Sequence, residues 1–152
     1  MSGNGLPRRN RIKTILNFHK HIRSVFAVNL AENAEITADR DDGYHTAEAL
    51  RTDSYDAYYK PFDGEDTVSL TFRWNSPQQI SCIRIKEHIP MSQRVEKTIM
   101  EARLPDDTWT TIASGTTIGY QKLERVNVCT DAVRIRITDA RVCPVLSFVG
   151  IY

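Results

Sequence analysis

"AVRIRITD", residues 132–139, alternates Val133, Ile135 and Ile137 with Arg134 and Arg136. A period of two marks a strand with one buried face and one outer face. "ISCIRIKEH", residues 80–88, repeats the pattern: Ile83 and Ile85 are expected inward, with Arg84 and Lys86 outward. The four basic residues are expected on a solvated sheet face. Working outward, "AEITADR", "TVSLTFRW", "KTIMEARL", "WTTIASG", "KLERVNV" and "LSFVGIY" read as further short strands. Turn clusters separate them at Asp41-Asp42-Gly43, Asp63-Gly64-Glu65-Asp66, Asn75-Ser76-Pro77 and Pro105-Asp106-Asp107. Many short strands with no helices between them argue for an all-β antiparallel sandwich or barrel.

The N-terminal region reads differently. Pro7 suits the first turn of a helix, and Ile12, Ile15, Leu16, Ile22 and Phe26 recur at helical spacing, which predicts one amphipathic α-helix over 7–26. His19 and His21 are two positions apart on that helix and cannot share a metal. A chain of 152 residues suffices for one ordinary domain with an appendage. The expected organisation is a leader and linker helix over 1–28 and a sandwich over 29–152.

Lys and Arg total 20 against 19 Asp and Glu, a net charge of +1, so no global field draws polyanions and nucleic acid is not an expected partner. Hydrophobic residues make up 41% and no apolar run approaches the roughly 18 residues of a membrane span. The opening "MSGNGLPRRNRIK" lacks the apolar segment of a secretory signal, so the chain as it stands is expected in the cytoplasm unless it is excised from a longer protein. Cys82, Cys129 and Cys143 show no CxxC spacing and read as small, mostly buried hydrophobes. The strand between Cys129 and Cys143 would hold them about 20 Å apart, too far for a disulfide.

No catalytic constellation emerges. "GTTIGYQK", residues 115–122, has two glycines and a lysine but not the spacing, the Ser/Thr or the following helix of a phosphate loop; it reads as a turn. The paired acids sit in turn clusters, and no nucleophile has a GxSxG setting. Glu87-His88 ends a strand and could touch a ligand. Aromatic residues concentrate at Tyr44, Tyr55, Tyr58, Tyr59 and Phe62, interleaved with His45, Asp53 and Asp56. Exposed rings beside hydrogen-bonding groups suit a sugar, which has an apolar C–H face and a rim of hydroxyls. Equally, Tyr58, Tyr59 and Phe62 could build the sandwich interior.

Taken in order, "SVFAVNLAENAEITADR", "TAEALRTDSYDAYY", "SLTFRW", "IKEHIPMSQRVEKTIMEA", "WTTIASGTTIGYQKLERV" and "AVRIRITDARVCPVLSFVGIY" resemble the C-terminal β-sandwich of bacterial and plant α-L-fucosidases. That module is of the discoidin-like (F5/8 type C), galactose-binding-domain-like kind. The resemblance covers residues 6–152, and "SQRVEK", "ASGTTIGYQK" and "RIRITDAR" are its most specific pieces. It implies a jelly-roll sandwich, with "GNGLP" as the linker leaving a catalytic (β/α)8 barrel and Gly115 and Gly119 supplying turn conformations. The family's catalytic carboxylates lie in the barrel, for whose roughly 250 residues this chain has no room.

What the resemblance implies is a non-catalytic module of a bacterial α-L-fucosidase, with no cofactor, that binds carbohydrate or supports the barrel. Its partners would be a fucosylated or galactosylated glycan and the barrel of a periplasmic or extracellular parent. Tyr44, His45, Tyr55, His88, Gln93 and Arg94, in or beside loops, are the candidate ligand-binding residues. Related modules hold Ca²⁺ on an acidic loop and a glutamate near the C-terminus. Here Arg51, Ala57 and Phe148 stand at those positions, so no bound metal is expected. A purely structural module would instead turn the helix and one apolar sheet face toward the barrel. The alternative is a free-standing discoidin-like adhesion domain for protein or lipid, with Ile89 and Met91 as its apolar loop tip.

Overall fold

The computed structural model describes residues 28–152. The helix expected over 7–26, with His19 and His21, lies outside the described residues. Within them are strands β1 (Glu35–Ala38), β2 (Val68–Glu87), β3 (Val95–Arg103), β4 (Trp109–Gly115), β5 (Lys122–Ala140) and β6 (Leu146–Ile151). The turns Leu30–Asn33, Ala47–Arg51 and Ile89–Met91 are 3₁₀-helical. Every strand pairing is antiparallel, in the order β1-β2-β5-β3-β4, with β6 on β2. The all-β sandwich read from the alternation is the observed architecture.

Two long strands build both layers. The start of β2 lies between β1 and the end of β5, where Leu70 pairs with Ala38 and with Ile135. The end of β2 lies between β6 and the start of β5, where Ile85 pairs with Val149 and with Lys122. Between these parts Arg73 pairs with Ala132 but Gln78 with Thr130, so residues of β2 bulge out of the ladder. Asn75-Ser76-Pro77, expected as a turn between strands, is this bulge inside one strand, and its exposed position tolerates a proline that cannot donate to the ladder. Likewise, "KLERVNV" and "AVRIRITD" are a single strand.

A second register shift, between Ile80 and Cys82, changes which positions face inward. Val68, Leu70, Phe72 and Ile80 are buried before it, and Ile83 and Ile85 after it. All six join Val133, Ile135 and Ile137 in one core. Tyr59 is also core, its hydroxyl donating to the Arg40 carbonyl, whereas Phe62 is exposed. The three cysteines are free thiols; Cys82 and Cys143 are buried but Cys129 is exposed.

The expectation of a solvated basic face needs correction. Arg134 and Arg136 both direct Nε to Glu101 Oε1, at 2.9 and 2.7 Å. Burial would raise the Glu101 carboxyl, and these two guanidinium bonds outweigh it and hold it below its ordinary value. Lys86 is only 6% exposed. Alternation does place it off the core face, but other chain segments cover it there.

Glu87, the last residue of β2, closes the loop end that follows it. This carboxylate is 1% exposed. Its Oε1 accepts the N–H groups of Arg94 at 2.6 Å and Val95 at 2.9 Å, and its Oε2 accepts that of Gly119 at 2.7 Å. The Glu87 N–H donates in turn to the Gly119 carbonyl at 3.1 Å. Gly119 has φ +67, a left-handed conformation that favours glycine. Gly115, expected to share that role, ends β4 instead, where a Cβ would fall 1.8 Å from Lys122 Nζ. Its function is close approach.

Removing the carboxylate strands three inward N–H donors. Glu87→Ala is predicted to cost about 3–5 kcal/mol, since a buried unsatisfied donor costs about 1–3 and loop relaxation recovers part. Glu87→Gln, which turns an NH₂ toward one set of donors, is expected to cost about 2 kcal/mol. Urea unfolding with an unchanged m-value measures both.

Candidate functional site

The loops joined at the Glu87 end are those over 39–67, 88–94, 116–121 and 141–145. Tyr59 forms an isolated antiparallel bridge with Leu146, which fastens the longest loop to β6. Lys60 Nζ lies 2.8 Å from Asp63, whose carboxylate receives the Cys143 thiol at 3.6 Å.

Asp42 shapes the first side chain of the site. Its Oδ1 accepts the N–H groups of Tyr44 at 2.9 Å and His45 at 2.6 Å, and its Oδ2 lies 2.5 Å from His45 Nδ1. Burial would raise this carboxyl, but the bonds from the His45 ring and from the two backbone donors prevail and lower it to about 2. Thus oriented, the His45 ring stacks on Tyr58, with centroids 4.4 Å apart and planes 9° from parallel. Tyr58 stacks on His88 at 4.5 Å, and Tyr55 tilts against His88 at 5.9 Å.

The row continues onto the outer face of β2. Tyr120 lies beside Tyr55: burial and the neighbouring Tyr120 side chain together raise the Tyr55 phenol above its ordinary value. Lys86 Nζ lies 5.2 Å from the Tyr120 ring centroid and 6.0 Å from that of Phe148, and donates to Asp53 Oδ2 at 2.8 Å. Tyr55 and Tyr120 remain 51% and 60% exposed, so two rings face solvent over a polar underlayer. His88 is 5% exposed, and its Nδ1 has no hydrogen-bond partner. Burial holds its pKa below the ordinary imidazole value.

Of the six candidates, the structure brings His45, Tyr55 and His88 together. Tyr44 projects 90% exposed from the same loop as His45. Arg94 turns inward, giving Nε to the Met91 carbonyl at 2.9 Å and Nη1 to the Cys143 carbonyl at 3.1 Å. It staples two loops together. Gln93 and Arg94 border a cavity of about 260 Å³ with Thr117 and Arg141. Sequence reasoning missed Tyr120 and Lys86 as site residues, and weighed Tyr58 between a sugar-facing cluster and the core without naming it a candidate. Tyr120 was visible as an aromatic residue in the glycine loop, but nothing local revealed that it meets Tyr55.

Four acids of the turn clusters are occupied locally. Asp42 holds His45, Asp63 holds Lys60, Asp106 accepts from Thr108, and Asp107 pairs with Arg103. Residues at the positions implied for calcium do not fit that ion. Arg51 Nη1 already donates to the carbonyls of Ala31 at 2.9 Å and Glu32 at 2.8 Å, while Nε and Nη2 bind Glu48. Ala57 offers no side-chain oxygen and Phe148 is packed in β6 beneath Arg84. Among the described residues no group of three or more His, Cys, Asp or Glu side chains could hold a metal. Ile89 and Met91, the apolar tip invoked for an adhesion domain, are half-buried in a 3₁₀ turn.

No protein-family model matches the chain. It is similar to "Putative alpha-L-fucosidase 1" of rice, Oryza sativa subsp. japonica, with 29% identity over 158 residues that take in 99% of this chain and 30% of that protein. The chain thus spans less than a third of the length of this relative. Among solved structures, a Ruminococcus gnavus GH29 fucosidase in complex with fucose superposes with a TM-score of 0.82 at 25% identity, covering 92% of this chain and 29% of that one. The family 32 carbohydrate-binding module of C. perfringens NanJ, in complex with galactose, shares the fold, with a TM-score of 0.71 at 12% identity over 81% of this chain and 96% of that one. The similarity is to the sandwich region of fucosidases and, in fold, to a carbohydrate-binding module.

The stacked His88 makes a pH prediction. Its folded pKa is depressed from an unfolded value near 6.5, so the unfolded chain takes up the proton first. Stability conferred by the neutral ring is present above about pH 6.5 and is lost as pH falls through that value toward the folded pKa. The Asp42 contribution works in a separate window: it is present above about 3.8 and lost as pH falls toward about 2. Between about pH 7.5 and 5.5, the urea midpoint of the wild type is expected to fall more steeply than that of His88→Phe, which keeps a ring without the titration. Parallel slopes would refute a buried neutral His88.

Proposed function

We propose that this chain is a non-catalytic, carbohydrate-binding β-sandwich that works beside the (β/α)8 catalytic barrel of an α-L-fucosidase. Residues 29–152 form the binding module and residues 1–28 connect it. The ligand is a fucosylated or galactosylated glycan. The observation that carries this reading is the adjacent exposed pair Tyr55 and Tyr120, backed by Lys86, Asp53 and His88. Two solvent-facing rings offer the C–H face of a pyranose a stacking surface, and the polar groups beside them meet its hydroxyls. Similarity along nearly the whole chain to a part of fucosidases supports the context.

An open platform buries little of a sugar, so affinity is expected at about 0.1–1 mM, or roughly 4–5.5 kcal/mol. Within the site, Tyr55 stacks and His88 and His45 set the geometry of its support. Tyr44 and Gln93 lie at the periphery, and Arg94 acts through the loops it fastens. A second reading, mechanical support of the barrel, is favoured by the exposed Tyr44, Phe62 and Val142 around the same loop end.

Chemical-shift mapping with fucose, galactose and lactose separates the two. Recognition predicts shifts concentrated at Tyr55, Tyr58, His88 and Tyr120, with little change on adding salt because the ligand is neutral. Silence at about 20 mM sugar, well above the expected Kd, would leave barrel support as the function. Assayed alone, the purified chain is expected to hydrolyse no aryl fucoside; turnover that survives removal of contaminants would overturn the non-catalytic reading.

A further inference from the structure

We propose that the recognition surface continues past Tyr120 along the outer face of β2 and β6 into a side cavity, so that the chain takes a stretch of uncharged oligosaccharide rather than a lone terminal sugar. The inference rests on the carbohydrate-binding reading above and adds a second subsite to it.

Contacts already described make the surface continuous. From the exposed Tyr55–Tyr120 pair the next group is Lys86, under Tyr120, and Lys86 is bonded to Asp53. Asp53 is a wall of the side cavity, whose volume is about 310 Å³. Phe148 and Tyr152 supply its apolar surface, and Arg51, Arg84, Asp53 and Glu32 its polar walls. Arg84 lies over the Phe148 ring at 5.5 Å and directs Nε to Gln121 at 2.7 Å, next to Tyr120 in the chain. The platform and the cavity therefore share walls, with Lys86, Asp53 and Arg84 at the join.

Size and charge define the ligand. A cavity of this volume is at the small end of those that hold small molecules, suited to about one sugar residue, and the rings of Tyr55 and Tyr120 offer room for another. Across platform and cavity, Arg51, Arg84 and Lys86 are matched by Glu32, Glu48 and Asp53, so the net field is near zero and a sulfated or uronate-rich chain finds no surplus cation. Aromatic surface with balanced donors and acceptors suits a neutral, hydroxyl-rich ligand. Occupying a second subsite through the same ligand makes the second contact intramolecular, which raises affinity with chain length.

The test is calorimetric titration of the full chain with galactose, lactose, fucosyllactose and lacto-N-fucopentaose. Kd is expected to fall by about tenfold or more from galactose to the pentasaccharide. Arg84→Met, which keeps an apolar stem over Phe148 but removes the donors, should abolish that gain and leave galactose binding within about twofold. Glu32→Ala trims an exposed wall of the cavity, away from the Tyr55–Tyr120 platform, and reads the same gain without a folding risk. A pentasaccharide no tighter than galactose, or a gain that survives both substitutions, would overturn the extended surface while carbohydrate binding itself stands. Tighter binding of a sulfated tetrasaccharide would overturn the neutral ligand. If even galactose and the pentasaccharide are silent, both readings fall together.

Discussion

A single buried carboxylate holds the loop end of this sandwich in place. Glu87 receives N–H groups from Arg94 and Val95 at the entry to β3 and from Gly119 in the loop between β4 and β5, so one side chain joins the end of β2 to the next strand and to a loop 32 residues on. Burying a charge is costly unless it is fully bonded, and here three backbone donors take the place of water. Strand alternation then decides the rest. With Glu87 turned to the core face, Lys86 and His88 on either side of it lie on the opposite face under the loop residues, and Gly119, clamped by Glu87, is followed directly by Tyr120. The groups at the centre of the candidate site are thus chain neighbours of the clamp.

The sandwich itself was legible in the alternation of "IRIK" and "VRIRIT", and Ile83, Ile85, Val133, Ile135 and Ile137 are all core. Pattern reading stopped where local and tertiary preferences conflict. Asn75-Ser76-Pro77 has the composition of a turn, yet pairing on both sides keeps it within β2 as a bulge. Alternation tells which way Lys86 points, but it is silent on what lies over it. That cover comes from Asp53, Tyr120 and Phe148, respectively 33 residues before and 34 and 62 residues after Lys86 along the chain.

The same limit governs the site. His45, Tyr55 and His88 were recognisable because aromatic and hydrogen-bonding residues cluster in predicted loops, and they meet through Tyr58. Arg94 had the same credentials on sequence, but its donors go to the Met91 and Cys143 carbonyls, contacts that only the folded loops create. Arg51 was visible as a cation in place of an acid. The structure gives that substitution a role, because its guanidinium joins the Leu30–Asn33 turn to the Ala47–Arg51 turn through the Ala31 and Glu32 carbonyls.

A clamp of this kind makes the ring platform part of the rigid sandwich rather than a mobile loop. Amide hydrogen exchange tests that directly. The N–H groups of Arg94, Val95 and Gly119 are predicted to exchange only through opening as costly as that of the central β2 and β5 amides, such as those of Leu70 and Ile135, because all three end on the Glu87 carboxylate. Exchange of these three amides at rates typical of open loops, with the β2 and β5 amides still protected, would contradict the account and leave the candidate site without its support.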